Sequence, residues 1–343
     1  MKNTGKILVL AFPDTFVTMS TEFICRILPL VGLGTKEYIK AGHSALVLIE
    51  NETGKVEYFD FGRYVTPKGH GRVRSANTDA ELKVPFTAKI NESGTLENLN
   101  DILLWLNANP KKTHGEGRLL ASICNGIDHE LAREYILQLQ DRGSIPYGAF
   151  DKTGSNCARF VTDTIIAATD EKAIIKALKI NKIFTPSTVG NVEKAASEKK
   201  VYQVVNGKIE TFKGSALNEN LKNYFDKDKP AIDTTTVVDK PCLTTIRSSV
   251  QKLEGTGCSA WFELTNEPTL PKNQYRIRRY NEDHALDFDG IYVSNTFDLS
   301  KEYTFTYDSH CAFCHVLQEG AIIKLDNIGE FSAINLQQKV HSA

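Results

Sequence analysis

Cys157 is the residue whose setting best suits covalent chemistry. It follows Thr153-Gly-Ser-Asn156, a helix-opening sequence, and precedes Ala158-Arg-Phe-Val-Thr-Asp-Thr-Ile-Ile166, which predicts a helix to about Ala168. A sulfur at a helix start faces unsatisfied amide N–H groups and the positive end of the dipole, which favour the thiolate, the nucleophilic form. Position alone does not assign the role, because most cysteines are small buried hydrophobes. A thiolate nucleophile also needs a proton acceptor, in acyl-transfer enzymes a histidine held by a third polar group. His43 is the best partner: it opens an apolar strand directly after Gly42, an unusual place for a titratable ring unless it is paired.

Gly42-His-Ser-Ala-Leu-Val-Leu-Ile49 and Val56-Glu-Tyr-Phe-Asp-Phe61, joined by a turn at Glu50 to Lys55, predict a hairpin. If its loop has an even number of residues, Val56, Tyr58 and Asp60 turn to the face of His43; an odd loop turns Glu57, Phe59 and Phe61 there. Asp60 lies further from the turn, nearer the level of His43, and is the preferred third group; Glu57 stays open as the alternative.

The order of these pieces resembles the circularly permuted papain-like hydrolases, related to NlpC-type amidases, YiiX-like hydrolases and lecithin:retinol acyltransferase-like proteins, in which the histidine precedes the cysteine. The matching stretches are Gly42 to Ile49, Tyr58-Phe-Asp60, Gly143-Ser-Ile-Pro-Tyr-Gly148 and Asn156-Cys-Ala-Arg-Phe-Val161, within residues 36 to 170. Two features depart from the pattern. Asp60 stands where the acyltransferase branch commonly has a second histidine, and Cys157-Ala-Arg159 replaces the Cys-Ser-Glu of the YiiX-like group. The resemblance implies a cysteine hydrolase of amide bonds, peptide or N-acyl, working through a thioester with Cys157, His43 and Asp60. Acyl transfer to a lipid or amine, or a non-catalytic binding protein on the same fold, are the alternatives. The Cys157 backbone N–H would meet the oxyanion, with the Tyr147 hydroxyl either a second donor or part of the cleft wall.

Around these residues the first half of the chain mixes elements. Ile7 to Phe12 reads as a buried strand, Thr21 to Leu30 as a short helix, Leu96 to Asn107 as a helix, Arg118 to Ile123 as a strand, and Asp128 as the N-cap of a helix to Arg142. Residues 62 to 95 read as loop, with a strand near Lys83 to Ile90, and the Lys-rich stretch from Glu171 to Lys200 as helical. Later come the Tyr202 to Phe212 hairpin, a polar stretch from Asn218 to Lys240, and β-prone runs at Ala260 to Leu264, Tyr275 to Tyr280, Gly290 to Val293, Tyr303 to Tyr307 and Ala321 to Leu325. The expected class is α+β: residues 1–195 as the permuted papain-like catalytic domain, an antiparallel sheet packed on helices, and 196–343 as a β-rich accessory domain.

Composition agrees with two globular domains and narrows the function. The chain has 343 residues, with 41 basic and 42 acidic side chains, so it lacks the cationic excess of a nucleic-acid-coating protein. Seven scattered cysteines, an odd number, argue against a secreted disulfide scaffold and for reduced thiols in the cytoplasm. No apolar run approaches the length of a membrane span, and the partner expected is a small-molecule or peptide substrate, with no cofactor. Cys311-Ala-Phe-Cys-His315 has the form of a haem-attachment motif or half a zinc site, but no second closely spaced pair accompanies it, and a structural role at a strand end is expected. Asp287-Phe-Asp-Gly290 is similar to the start of a calcium loop, but Asp298 stands where the terminal bidentate Glu belongs, and the run reads as a turn. Arg276, Arg278 and Arg279 read as a solvated strand edge, and Gly69-His-Gly-Arg-Val-Arg74 as a basic loop near the site.

Overall fold

A computed structural model describes every residue except 21, 152, 230–249 and 333–343. The chain divides into two compact units. The first comprises Met1–Gly62, Gly71–Ala76 and Leu82–Pro230, and the second Arg63–His70, Asn77–Glu81 and Ala231–Ala343.

The first unit is built from β1 (Gly5–Phe12), β2 (Val17–Thr18), α1 (Phe23–Ile27), β3 (Tyr38–Ile39), β4 (His43–Glu50), β5 (Val56–Gly62), β6 (His70–Arg74), α2 (Leu99–Ala108), α3 (Pro110–Thr113), β7 (Leu119–Ile127), α4 (His129–Asp141), β8 (Ile145–Pro146), α5 (Cys157–Ala168), α6 (Lys172–Asn181), α7 (Thr188–Ala195), β9 (Tyr202–Val205), β10 (Lys208–Thr211) and α8 (Ala216–Phe225). Its main sheet runs β10-β9-β7-β1-β4-β5-β6-β8, with antiparallel pairing from β10 through β6. β1 lies at the centre and is buried throughout, because both faces of the sheet are covered; its continuous apolar run reflects this. On one face Ile7, Val9, Leu46, Leu48, Phe59 and Phe61 pack with Phe160, Val161 and Ile165 of α5. On the other, Leu8, Leu10, Ala45 and Val47 pack with Leu99, Ile102, Leu103 and Leu106 of α2. The 3.6-residue spacing of those α2 leucines and isoleucine is what turns them to the sheet. Asp128 caps α4 by accepting from Leu131 N at 3.3 Å, and α5 spans the stretch expected of it.

Four expectations change here. The hairpin β9–β10 joins the first sheet, pairing Leu119 with Val204 and burying Val204 in the α2-side core, so the first unit runs to Pro230 and not to residue 195. The stretch read as polar from Asn218 contains α8, capped by Ser215 accepting from Asn218 N at 3.3 Å. The basic loop at 69–74 is largely strand β6. Lys83 to Ile90 forms no strand; Val84, Phe86 and Ile90 pack under the sheet as side chains, with one isolated bridge from Ile90 to Leu96.

The second unit holds β11 (Val250–Leu253), β12 (Ala260–Thr265), β13 (Gln274–Tyr280), β14 (Leu286–Val293), β15 (Thr304–His310), β16 (Phe313–Gln318) and β17 (Ala321–Glu330), ordered β11-β12-β13-β14-β17-β16-β15 in an antiparallel sheet. It curls into a nearly closed barrel, the two end strands joined by Gln251, whose Oε1 accepts from Phe305 N at 2.7 Å. Phe262, Ile277, Tyr292, Phe305, Val316 and Leu325 fill it. β13 is interior to this sheet, so its arginines are not a solvated edge. Arg276 grips Asp289 through two hydrogen bonds, Nε to Oδ1 at 2.8 Å and Nη2 to Oδ2 at 2.6 Å. Asp287 to Gly290 is part of β14 and not a turn: Phe288, Asp289 and Gly290 pair with Arg279, Arg278 and Ile277 of β13, and Asp287 sits at a register shift. Cys311 and Cys314 flank the tight β15–β16 connection and are buried; Cys242 lies outside the described residues. Among the described residues no group of three His, Cys, Asp or Glu side chains is placed to hold a metal ion, and no helix is long and apolar enough to cross a membrane.

Candidate active site

The hairpin register decides the third group. Ile49 pairs with Val56 and Ala45 with Asp60, so the intervening loop has an even residue count, and Asp60 and Tyr58 share the face of His43. Glu57 opposes Leu48 on the other face, where it pairs with Lys55 at 2.9 Å and Arg133 at 3.4 Å. His43 is fixed from behind by Gly42, which adopts φ +74°; a Cβ there would stand 3.0 Å from the Phe12 carbonyl oxygen and 2.9 Å from Thr188 Oγ1. Only glycine tolerates both the left-handed backbone and that approach.

His43 and Asp60 are buried together, 5% and 0% exposed, with Nε2 3.4 Å from Oδ2, an ion-pair separation longer than a good hydrogen bond. Asp60 is held by more than the histidine. Arg74, its direct cross-strand neighbour on β6, donates from Nε to Oδ1 at 3.0 Å and from Nη2 to Oδ2 at 2.6 Å, and the Tyr58 hydroxyl donates to Oδ2 at 3.1 Å. Arg74 Nη2 also donates to the Lys112 carbonyl at 3.1 Å. Burial by itself would raise the Asp60 pKa; Arg74 and His43 overcome that and hold it well below the usual carboxylate range.

Cys157, 6% exposed, begins α5 with its thiol against the His43 ring, the Ser44 backbone N–H and the Tyr147 hydroxyl. Burial opposes ionisation of the thiol, but those three neighbours outweigh it and the pKa falls below its ordinary value. Burial likewise pushes His43 down, and its bonds to Asp60 and Cys157 with their negative charges carry it up to about 9. The two shifts share a cause: each group stabilises the charged form of the other, with Asp60 adding to the rise of His43 and Ser44 and Tyr147 to the fall of Cys157.

The segment before the cysteine is pinned from two sides. Glu22 accepts from the backbone N–H groups of Ala149 at 2.7 Å, Phe150 at 3.0 Å and Asp151 at 2.7 Å. Arg159 donates to the carbonyls of Ala149, at 2.8 Å, and Asp151. Asn156 caps α5, its Oδ1 accepting from Arg159 N at 2.9 Å while Nδ2 donates to the Gly148 carbonyl at 3.0 Å. Tyr147 stacks on Phe61 with ring centroids 5.7 Å apart. The close fit depends on Gly71, where a Cβ would meet Tyr147 Cδ2 at 2.8 Å. Tyr224 of α8 is near enough to the sulfur for a thiolate to raise its hydroxyl pKa, after burial.

All four residues expected at the site, Cys157, His43, Asp60 and Tyr147, therefore meet at one end of the sheet. Ser44 and Tyr224 are neighbours that the sequence does not announce, and Arg74, expected only within a basic loop near the site, sits on a strand beside Asp60. The signal for Tyr58 was present, since the alternation that turns Asp60 toward His43 turns Tyr58 there too. Arg74 was hidden by Gly69 and Gly71, which made a strand look like a loop.

Residues 7–174 match the family model described as type VI secretion system effector TseH-like, and residues 250–328 match the DUF6695 C-terminal domain. A crystal structure of the type VI secretion system effector TseH aligns with a TM-score of 0.41 and 19% identity, over 62% of this chain and 99% of that one. No curated protein matches the sequence. The matched description singles out neither the YiiX-like nor the acyltransferase branch.

Proposed function

We propose that the chain is a cysteine-dependent hydrolase that cleaves an amide bond, in a peptide or an N-acyl compound, through a thioester on Cys157. The observation that carries this reading is the buried thiol at a helix start, pressed against a histidine whose pKa rises as its own falls. Such pairing is how cysteine acyl-transfer enzymes keep a nucleophile ready at neutral pH.

The steps follow from the neighbours. The Cys157 thiolate adds to the carbonyl carbon, forming the C–S bond and moving the π electrons onto oxygen. The Cys157 backbone N–H and the Tyr147 hydroxyl meet that oxyanion. As the C–N bond breaks, the His43 imidazolium protonates the departing amine. Neutral His43 then takes a proton from water, which attacks the thioester and releases the acid and the thiolate. Asp60 keeps the ring oriented and stabilises its cationic form, while Arg74 and Tyr58 hold Asp60 itself. An amine or lipid hydroxyl in place of water would give acyl transfer by the same path.

The test is labelling with an activity-based thiol probe, followed by a panel of peptides, N-acyl amino acids and lipids. Cys157 is expected to label ahead of the other cysteines, with release of an acid that Cys157→Ala abolishes. Equal labelling of all seven cysteines would sink the enzyme reading and leave a binding protein.

The description of the matched family adds a second reading, a type VI secretion system effector. Cytoplasmic action, expected from the reduced thiols, predicts Cys157-dependent effects when the chain stays inside a bacterial host. Growth arrest only on export would move the site of action.

A further inference from the structure

The first unit carries an exposed apolar surface that its core does not use. Phe23 and Ile27 of α1 and Leu30 and Val31 of the following 3₁₀ turn point to solvent, Phe23 at 77% and Leu30 at 81% exposure. Leu217, Leu221 and Phe225 of α8, spaced by four, share one side of their helix and are exposed as well. The two groups are neighbours: a Cβ at Gly32 would stand 3.4 Å from the Phe225 ring. The backbone around them is joined by Gly34 N donating to the Tyr224 carbonyl at 2.8 Å and the Tyr38 hydroxyl donating to the Lys227 carbonyl at 3.1 Å. An apolar area on this scale is not the scattered hydrophobicity of an ordinary surface.

Charge points to what covers it. Arg26 of α1 and Lys222 of α8 are exposed, as are Lys36, Lys227 and Lys229 on the adjoining stretches, against the exposed acids Glu37 and Asp228. The other carboxylates there are engaged: Asp226 with Lys40 at 2.9 Å, Glu219 with Arg118 at 2.9 Å, and Glu22 with the backbone of residues 149–151. Bulky apolar side chains with cations among them are the pattern of a surface that lies on an anionic bilayer, the apolar groups entering the acyl boundary and the cations meeting headgroups.

We infer that α1, the turn after it and α8 form a docking surface for an anionic lipid bilayer. It adjoins the candidate site through Tyr224, which precedes Phe225 and lies within electrostatic reach of Cys157. A bilayer docked there would bring membrane-associated substrates near the candidate site, but the docking itself does not depend on the thiol chemistry.

The full chain is incubated with phosphatidylcholine vesicles with and without phosphatidylglycerol, and sedimented. Binding is expected only with phosphatidylglycerol and is expected to fall at least about tenfold at high salt. Leu30→Asp with Leu221→Asp, and separately Arg26→Glu with Lys222→Glu, are expected to lose it by a similar factor, while the rate of Cys157 alkylation stays at the parent value and reports an intact fold. Absence of binding, equal binding to both vesicle types, or binding indifferent to both double variants would overturn the inference. So would a dimer in sedimentation velocity that Leu30→Asp separates, since the surface would then belong to a second copy. Failure of the vesicle arm with fast Cys157 alkylation leaves the hydrolase reading standing, and the converse result separates the two the other way.

Discussion

Each unit buries a guanidinium, a carboxylate and a thiol together, yet the two thiols are driven in opposite directions. In the first unit Arg74 grips Asp60, and Cys157 is shifted toward thiolate. In the second, Arg279 reaches Asp79 at 3.0 Å, Glu81 at 3.7 Å, Asp287 at 3.8 Å and the Cys311 sulfur at 3.5 Å, and Cys311 is pushed up to about 12. Burial opposes ionisation in both, so burial is not the difference. Arg279 touches the sulfur directly, but three carboxylates share its charge, and Asp79 and Asp287 repel a thiolate. Arg74 is not among the leading influences on the Cys157 sulfur. It neutralises Asp60 and leaves the thiol to a histidine that becomes a cation and to N–H and O–H donors. Contact with a cation is not enough to activate a thiol; the net charge of its surroundings and the donors aimed at it decide.

The largest effect that would break this contrast concerns the thiols themselves. Cys157→Ala is expected to remove turnover by about 10³-fold or more, and Cys311→Ser to leave it within about twofold, measured on the substrate found by the panel. Iodoacetamide at neutral pH should modify Cys157 faster than Cys311 by a factor on the order of 10² or more, read by mass spectrometry of peptides. His43→Ala should slow turnover about 10²- to 10⁴-fold. It should also move the onset of Cys157 alkylation to higher pH, because the shift that His43 supplies is gone. In the parent, alkylation should already be fast below the ordinary thiol pKa, with turnover declining as pH rises through about 9, where His43 loses its proton.

Removal of the guanidiniums compares the clusters on stability. Arg74→Met and Arg279→Met each strand buried carboxylates and are expected to cost about 3–5 kcal/mol in urea unfolding, but only Arg74→Met should alter the pH profile of alkylation. Tyr147→Phe should lower turnover by at most about 10² to 10³ without changing stability as much, if the hydroxyl meets the oxyanion. The smallest effect belongs to Asp287. Burial raises its pKa to about 7 despite Arg279, with Glu81 and Asp79 adding to the shift. A carboxyl raised in the folded state binds its proton more tightly there than when unfolded. Its contribution therefore turns increasingly unfavourable as pH rises from the unfolded value, about 3.9, to about 7. Asp287→Asn should flatten that dependence in thermal melts between those values.

Much of the site was legible in the chain because its pieces are local. Thr153-Gly-Ser-Asn156 sets a helix start, and a helix start sets the electrostatics of Cys157. Gly42-His43 before an apolar run sets a strand beginning with a titratable ring. The alternation Tyr58, Asp60 needed only the loop parity to choose between Asp60 and Glu57, and parity is fixed by how the turn folds. The β-rich character of the second unit was equally local, since its strands are short alternating runs. Its boundary was not, because Val204 joins the first core only when β7 is there to receive it.

What the sequence by itself determined is the set of groups and their local conformations: a helix-start thiol, a strand-start histidine, an acid on a hairpin, a tyrosine ahead of the cysteine. Only the tertiary structure decided which charges meet. Arg74 lies beside Asp60 through the pairing of β5 with β6, and Arg279 meets Asp287 across neighbouring strands and Asp79 and Glu81 from a distant part of the chain. Burial then makes each such meeting strong enough to move a pKa, because water no longer screens it.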